Sequence, residues 1–68
     1  MSVYKIVEVI GTSEKSWEAA AKEAVETASK SLRDLRIAEV DQMDMKLENG
    51  KVVAYRVKVR LSFKIQDD

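Results

Sequence analysis

The chain has 68 residues, 46% hydrophobic and 35% charged, with twelve basic and twelve acidic side chains that cancel. It contains no cysteine and no histidine, which excludes disulfides, thiolate chemistry, cysteine- or histidine-based zinc sites and the usual general base at neutral pH. A net charge of zero gives no global attraction to nucleic acid or an anionic membrane.

The length allows one domain, residues 1–68. A domain this short buries only about 60% of the surface its unfolded chain exposes. Without disulfides or a zinc site, association with further copies is the remaining way to complete the core. The expected partner is the chain itself, with neither nucleic acid nor membrane. No apolar run approaches a membrane span, and the opening MSVYKIVEVI lacks the layout of a signal peptide, so a cytoplasmic location is expected.

Val3 to Ile10 is short and rich in Val and Ile, and reads as a strand with both faces partly apolar. At Gly11-Thr12-Ser13 the period changes from 2 to 3.6, and Thr12 or Ser13 is the expected helix cap. The helix should run from Glu14 to Asp34. Its apolar stripe is Trp17, Ala20, Ala21, Ala24, Val25, Ala28, Leu32 and Leu35. Alanine dominates that stripe, which suits close approach to a sheet and contributes little apolar area. Trp17 reads as a core or interface anchor.

Ile37 to Leu47 is a second strand whose apolar phase shifts from even positions (Ala38, Val40) to odd ones (Met43, Met45, Leu47), so a bulge is expected near Asp41-Gln42. Asn49-Gly50 signals a type I′ hairpin turn. From Val53 to Ile65 the alternation is unbroken, with Arg56, Lys58, Arg60 and Lys64 on the face opposite Val57, Val59 and Leu61. The fold class is therefore α+β, in the order β-α-β-β. The helix returns the chain past its first strand, so the third strand fits best in the middle of an antiparallel sheet of order 1-3-2.

Glu39, Asp41 and Asp44 form an acidic cluster on the second strand. Two readings stand: a salt-bridged sheet face matched by the basic strand beside it, or ligands for Ca²⁺ or Mg²⁺. Without a histidine, a cysteine or a nucleophile elbow, the chain offers no catalytic constellation and is expected not to be an enzyme.

The opening VYKIVEVIGTS, the alanine-rich helix, the AEV step at Ala38-Glu39-Val40 and the final YRVKVRLSFKI resemble the dodecins over nearly the whole chain. The resemblance implies a sheet wrapped around the helix and a hollow homododecamer. It implies a small-molecule ligand as a further partner and a non-catalytic role in binding, storing or buffering flavin (riboflavin, FMN or a lumichrome-like ring); some members also bind coenzyme A. In flavin-binding members a tryptophan stacks on the ring just before the x-E-V step, and Ile37 matches it here. A glutamine on the last strand bonds the ring edge, and Arg56 matches it. The candidate cofactor residues are Ile37, Glu39, Gln42, Arg56 and Lys64. Where many bacterial members have Arg-Gly, this chain has Asp44-Met45, which reverses the charge a phosphate would meet. Isoleucine cannot stack as an aromatic ring does, and a guanidinium has no acceptor, so these departures predict flavin binding that is weak or lost. The opening Ser-Val-Tyr-Lys, Ser16-Trp17-Glu18 and Asp44-Met45 resemble a tryptophan-poor calcium-dodecin branch, which implies a calcium site for which Glu39, Asp41 and Asp44 are the candidates.

Overall fold

The computed structural model describes residues 2–66. Four elements follow in chain order: β1 (Val3–Ser13), α1 (Trp17–Ala28), β2 (Leu35–Glu48) and β3 (Lys51–Gln66). β3 lies between β1 and β2 and is antiparallel to each, so the expected order 1-3-2 is the one observed.

β1 continues three residues beyond Ile10, pairing Gly11 with Val57, Thr12 with Arg56 and Ser13 with Tyr55. Thr12 and Ser13 therefore do not cap the helix. Ser13 accepts a hydrogen bond from the Lys15 amide instead, at 3.0 Å. The cap is Ser16, whose backbone is extended and whose Oγ accepts from the Ala19 amide at 3.0 Å. The strand extends because Gly11 lets α1 lie directly on it. A Cβ built at Gly11 would collide with the Ala20 carbonyl oxygen and stand 2.9 Å from Ala24 Cβ.

The helix also stops early, at Ala28 and not near Asp34. The Lys30 and Ser31 amides bond to the carbonyls of Thr27 and Ala28, tightening the last turn. Asp34 then takes a left-handed conformation (φ 58°), and Leu35 pairs with Phe63 at the start of β2. Leu35 thus reaches the core from the sheet, although its spacing continues the helical stripe.

Twelve helical residues span only about 18 Å, whereas the subunit extends over 53 Å along the sheet. The helix packs on β1 and β3 and barely reaches β2. Val57, Val59 and Leu61 of β3 are buried beneath Ala20 and Ala24. On β2 every residue after Leu35 is exposed. The sheet bears more large apolar side chains in solvent than under the helix. Ile6 is 61% exposed, Ile37 65%, Met43 52% and Leu47 59%. A bare apolar surface of this extent on a chain this small calls for a covering partner.

The phase shift in β2 has the expected cause. The register slips between Val40 and Gln42, leaving Asp41 as the extra residue. A second slip between Lys46 and Leu47 places the extra residue, Val53, on β3. The two cancel, so the hairpin closed by Asn49 (φ 52°) and Gly50 (φ 75°) returns to its starting register from Val40 to Ile37.

Candidate ligand site

The cross-strand register assembles a charged row on the sheet face away from the helix. Glu8 of β1 and Glu39 of β2 both lie opposite Arg60, Gln42 lies opposite Lys58, and Asp44 opposite Arg56. Arg60 Nε donates to Glu8 at 3.1 Å, and Lys58 Nζ stands 3.4 Å from Asp41. Longer approaches, Arg60 to Asp41 at 3.8 Å and Lys58 to Glu8 at 3.9 Å, close a four-charge network. The hydrogen bond that Arg60 donates to Glu8, then the charges of Asp41 and Glu8, raise the Arg60 guanidinium above its ordinary pKa.

Beside this network Arg56 grips Asp44 in a two-pronged bond, Nε to Oδ1 at 2.7 Å and Nη2 to Oδ2 at 2.9 Å. Hydrogen bonding from Arg56 holds the Asp44 carboxyl below its ordinary pKa, against a smaller upward push from desolvation. The same bond raises Arg56. Asp44 is also held through its backbone, because Trp17 Nε1 donates to its carbonyl oxygen at 3.0 Å. Trp17 in turn meets Tyr55 edge-to-face, with centroids 5.1 Å apart. The single tryptophan therefore ties the start of α1 to the β2–β3 hairpin, as an anchor of the fold.

Next to the charged network lies an open depression of about 460 Å³ lined by Ile6, Ile37, Ala38, Glu39, Arg60 and Ser62. Its size falls within the range of small-molecule sites, about 300–1,000 Å³. Of the residues singled out from the sequence for a cofactor, Ile37 and Glu39 line it. Gln42, Arg56 and Lys64 do not. Arg56 sits four residues along β3 from Arg60, about 13 Å away. Lys64 pairs in register with Tyr4, two rungs beyond Ser62. Ile6, Arg60 and Ser62 were not singled out. The signal for Arg60 and Ser62 was present, since closing the hairpin at Asn49-Gly50 sets Ile37 opposite Ser62 and Glu39 opposite Arg60.

The depression fits a planar heteroaromatic ring in part. Ile6 and Ile37 give an apolar wall, Arg60 and Ser62 can donate hydrogen bonds, and Glu39 can accept. No aromatic side chain lines it. The three carboxylates proposed for a cation fit less well. Asp41 and Asp44 are already matched by bases, and among the described residues no three acidic side chains gather as a metal would require.

The dodecin family model matches residues 3–66. The chain belongs to the dodecin family. It is 47% identical over 66 residues to the calcium dodecin of Mycobacterium tuberculosis, covering 97% of this chain and 93% of that protein. It is 37% identical over 65 residues to the dodecin of Thermus thermophilus, covering 96% and 94%. The crystal structure of the M. tuberculosis calcium dodecin, described with a calcium-binding site, superposes with a TM-score of 0.85 at 45% identity, covering 98% of this chain and 96% of that one. The dodecamer is the family's assembly. Among the described residues no helix is long and apolar enough to cross a membrane.

Proposed function

We propose that this chain is the subunit of a hollow, cytoplasmic homododecamer that binds a small planar ligand of the flavin class weakly and without catalysis. The observation that carries this reading is the depression at Ile37. It combines an apolar wall with donors and an acceptor on a sheet face that a single subunit leaves open. A second copy closing over it would supply the missing wall and bury Ile6 and Ile37 at the same time. The charge network beside it serves as a scaffold, because its acids and bases satisfy one another. Titrating riboflavin, FMN and lumichrome into the purified protein, with flavin fluorescence as the readout, tests the reading. Saturable quenching at tens of micromolar or weaker is expected, with FMN no tighter than riboflavin. Flat titrations for all three would remove the ligand part of the proposal.

Cation binding is a second reading, favoured by the 47% identity to a calcium dodecin. Glu39, Asp41 and Asp44 would be its ligands, for calcium or magnesium. The Glu39 carboxylate makes no side-chain hydrogen bond or ion pair among the described residues, although its charge is felt by Arg60 opposite it, and it is the least engaged of the three. Calorimetric titration of calcium, repeated on Glu39→Gln, tests this alternative. Heat that disappears in the variant supports it, and no heat in the unmodified protein removes it.

A further inference from the structure

We infer that Arg56 is a specificity-determining residue that closes Asp44 to metal ions by acting as a built-in cation. Both Asp44 oxygens are engaged, one by Nε and one by Nη2 of the same guanidinium, at 2.7 and 2.9 Å. A calcium ion needs those oxygens and adds its own positive charge to the site. To reach them it must either displace a fork that occupies one lone pair of each oxygen or use the remaining lone pairs beside a guanidinium that cannot lose its proton.

The pair is also fixed in place. Asp44 and Arg56 are directly opposite in the β2–β3 register, between the two bulges, so neither can slide away without breaking the ladder. Trp17 Nε1 holds the Asp44 carbonyl from the helix side. The neighbouring base–acid pairs offer Asp44 no exchange of partners, because Lys58 and Arg60 are engaged with Asp41 and Glu8. Asp44 is therefore an acid in the sequence and a neutralised group in the fold. The Asp44–Arg56 pair is independent of whether a flavin binds at Ile37, since neither residue lines that depression.

The single tryptophan, adjacent to Asp44, supplies the probe. Terbium shares calcium's preference for oxygen ligands and emits when an indole close to it is excited. The experiment compares terbium emission on tryptophan excitation, with calcium as competitor, in the intact assembly and in Asp44→Asn, Arg56→Gln and the double variant. Size-exclusion profiles and melting curves establish that each variant is folded. The unmodified protein and Asp44→Asn should give the same weak curve. Arg56→Gln should bind terbium at least about tenfold more tightly, by removing the competing charge, and calcium should displace it. The double variant should fall back to the unmodified curve. Identical curves for the unmodified protein and Arg56→Gln would overturn the inference. So would saturable emission from the unmodified protein that Asp44→Asn abolishes. Riboflavin titrations on the same samples report separately on the proposed ligand site.

Discussion

Replacing Gly11 by alanine places a methyl group where the helix backbone already lies. Its nearest neighbour would be the Ala20 carbonyl oxygen, followed by Ala24 Cβ at 2.9 Å and the Ala20 carbonyl carbon at 3.0 Å. Two of these atoms are backbone, so no rotamer change can relieve the contact. The helix must move away from β1, loosening Ala20 and Ala24 above Val57 and Val59. Overpacking a core costs about 1–3 kcal/mol, and a backbone obstacle belongs at the upper end. At about 4–8 °C per kcal/mol for a domain of this size, a loss of about 3 kcal/mol lowers the melting temperature by about 12–24 °C. The assay is thermal unfolding followed by circular dichroism at equal subunit concentration, because association makes the midpoint concentration-dependent. The sign is diagnostic. If the helix did not press on Gly11, the substitution would stabilise the protein by about 0.4–1 kcal/mol through the unfolded chain. A variant melting at or above the original temperature would refute the packing argument.

Ser16→Ala removes the acceptor for the Ala19 amide and should cost about 1 kcal/mol, read as a midpoint lowered by about 4–8 °C. Thr12→Ala, at the position the sequence suggests as a cap, should change the midpoint far less. Asp44 has a lowered pKa in the folded state because Arg56 bonds to it. The pair's stabilising contribution is therefore present above the unfolded value, about 3.9, and is lost as pH falls through the lowered folded value. The midpoint difference between the unmodified protein and Asp44→Asn should shrink on acidification, and a difference that grows would contradict the assignment. Ile37→Trp should tighten riboflavin binding by about two- to tenfold, the worth of one aromatic contact. Unchanged fluorescence titrations would place the ligand elsewhere.

Much of the fold is legible in the chain because the features concerned are local. The phase shift from Val40 to Met43 marks the bulge at Asp41, and Asn49-Gly50 marks the turn that sets the register. The helix boundaries were harder. Leu32 and Leu35 keep the helical spacing, yet the chain leaves the helix at Ser29 and brings Leu35 to the core from β2. Ser13 and Ser16 offer the same hydroxyl, and only the pairing of Ser13 with Tyr55 in the sheet decides between them. In the candidate site, Ile37 and Glu39 are legible because Ile37 immediately precedes the AEV step and Glu39 lies within it. Arg60 and Ser62 come to them across the sheet, so finding them requires the register as well as the motif. The acidic cluster was visible as composition, but its neutralisation by Arg56, Lys58 and Arg60 appears only once the strands are paired.

The exposed apolar side chains of β1 and β2 require cover from other copies. Light scattering coupled to size exclusion at micromolar concentration measures this directly. Twelve subunits of 7.7 kDa should elute as one species of about 92 kDa and persist on dilution, in keeping with the family's assembly. A folded species of 7.7 kDa would contradict it.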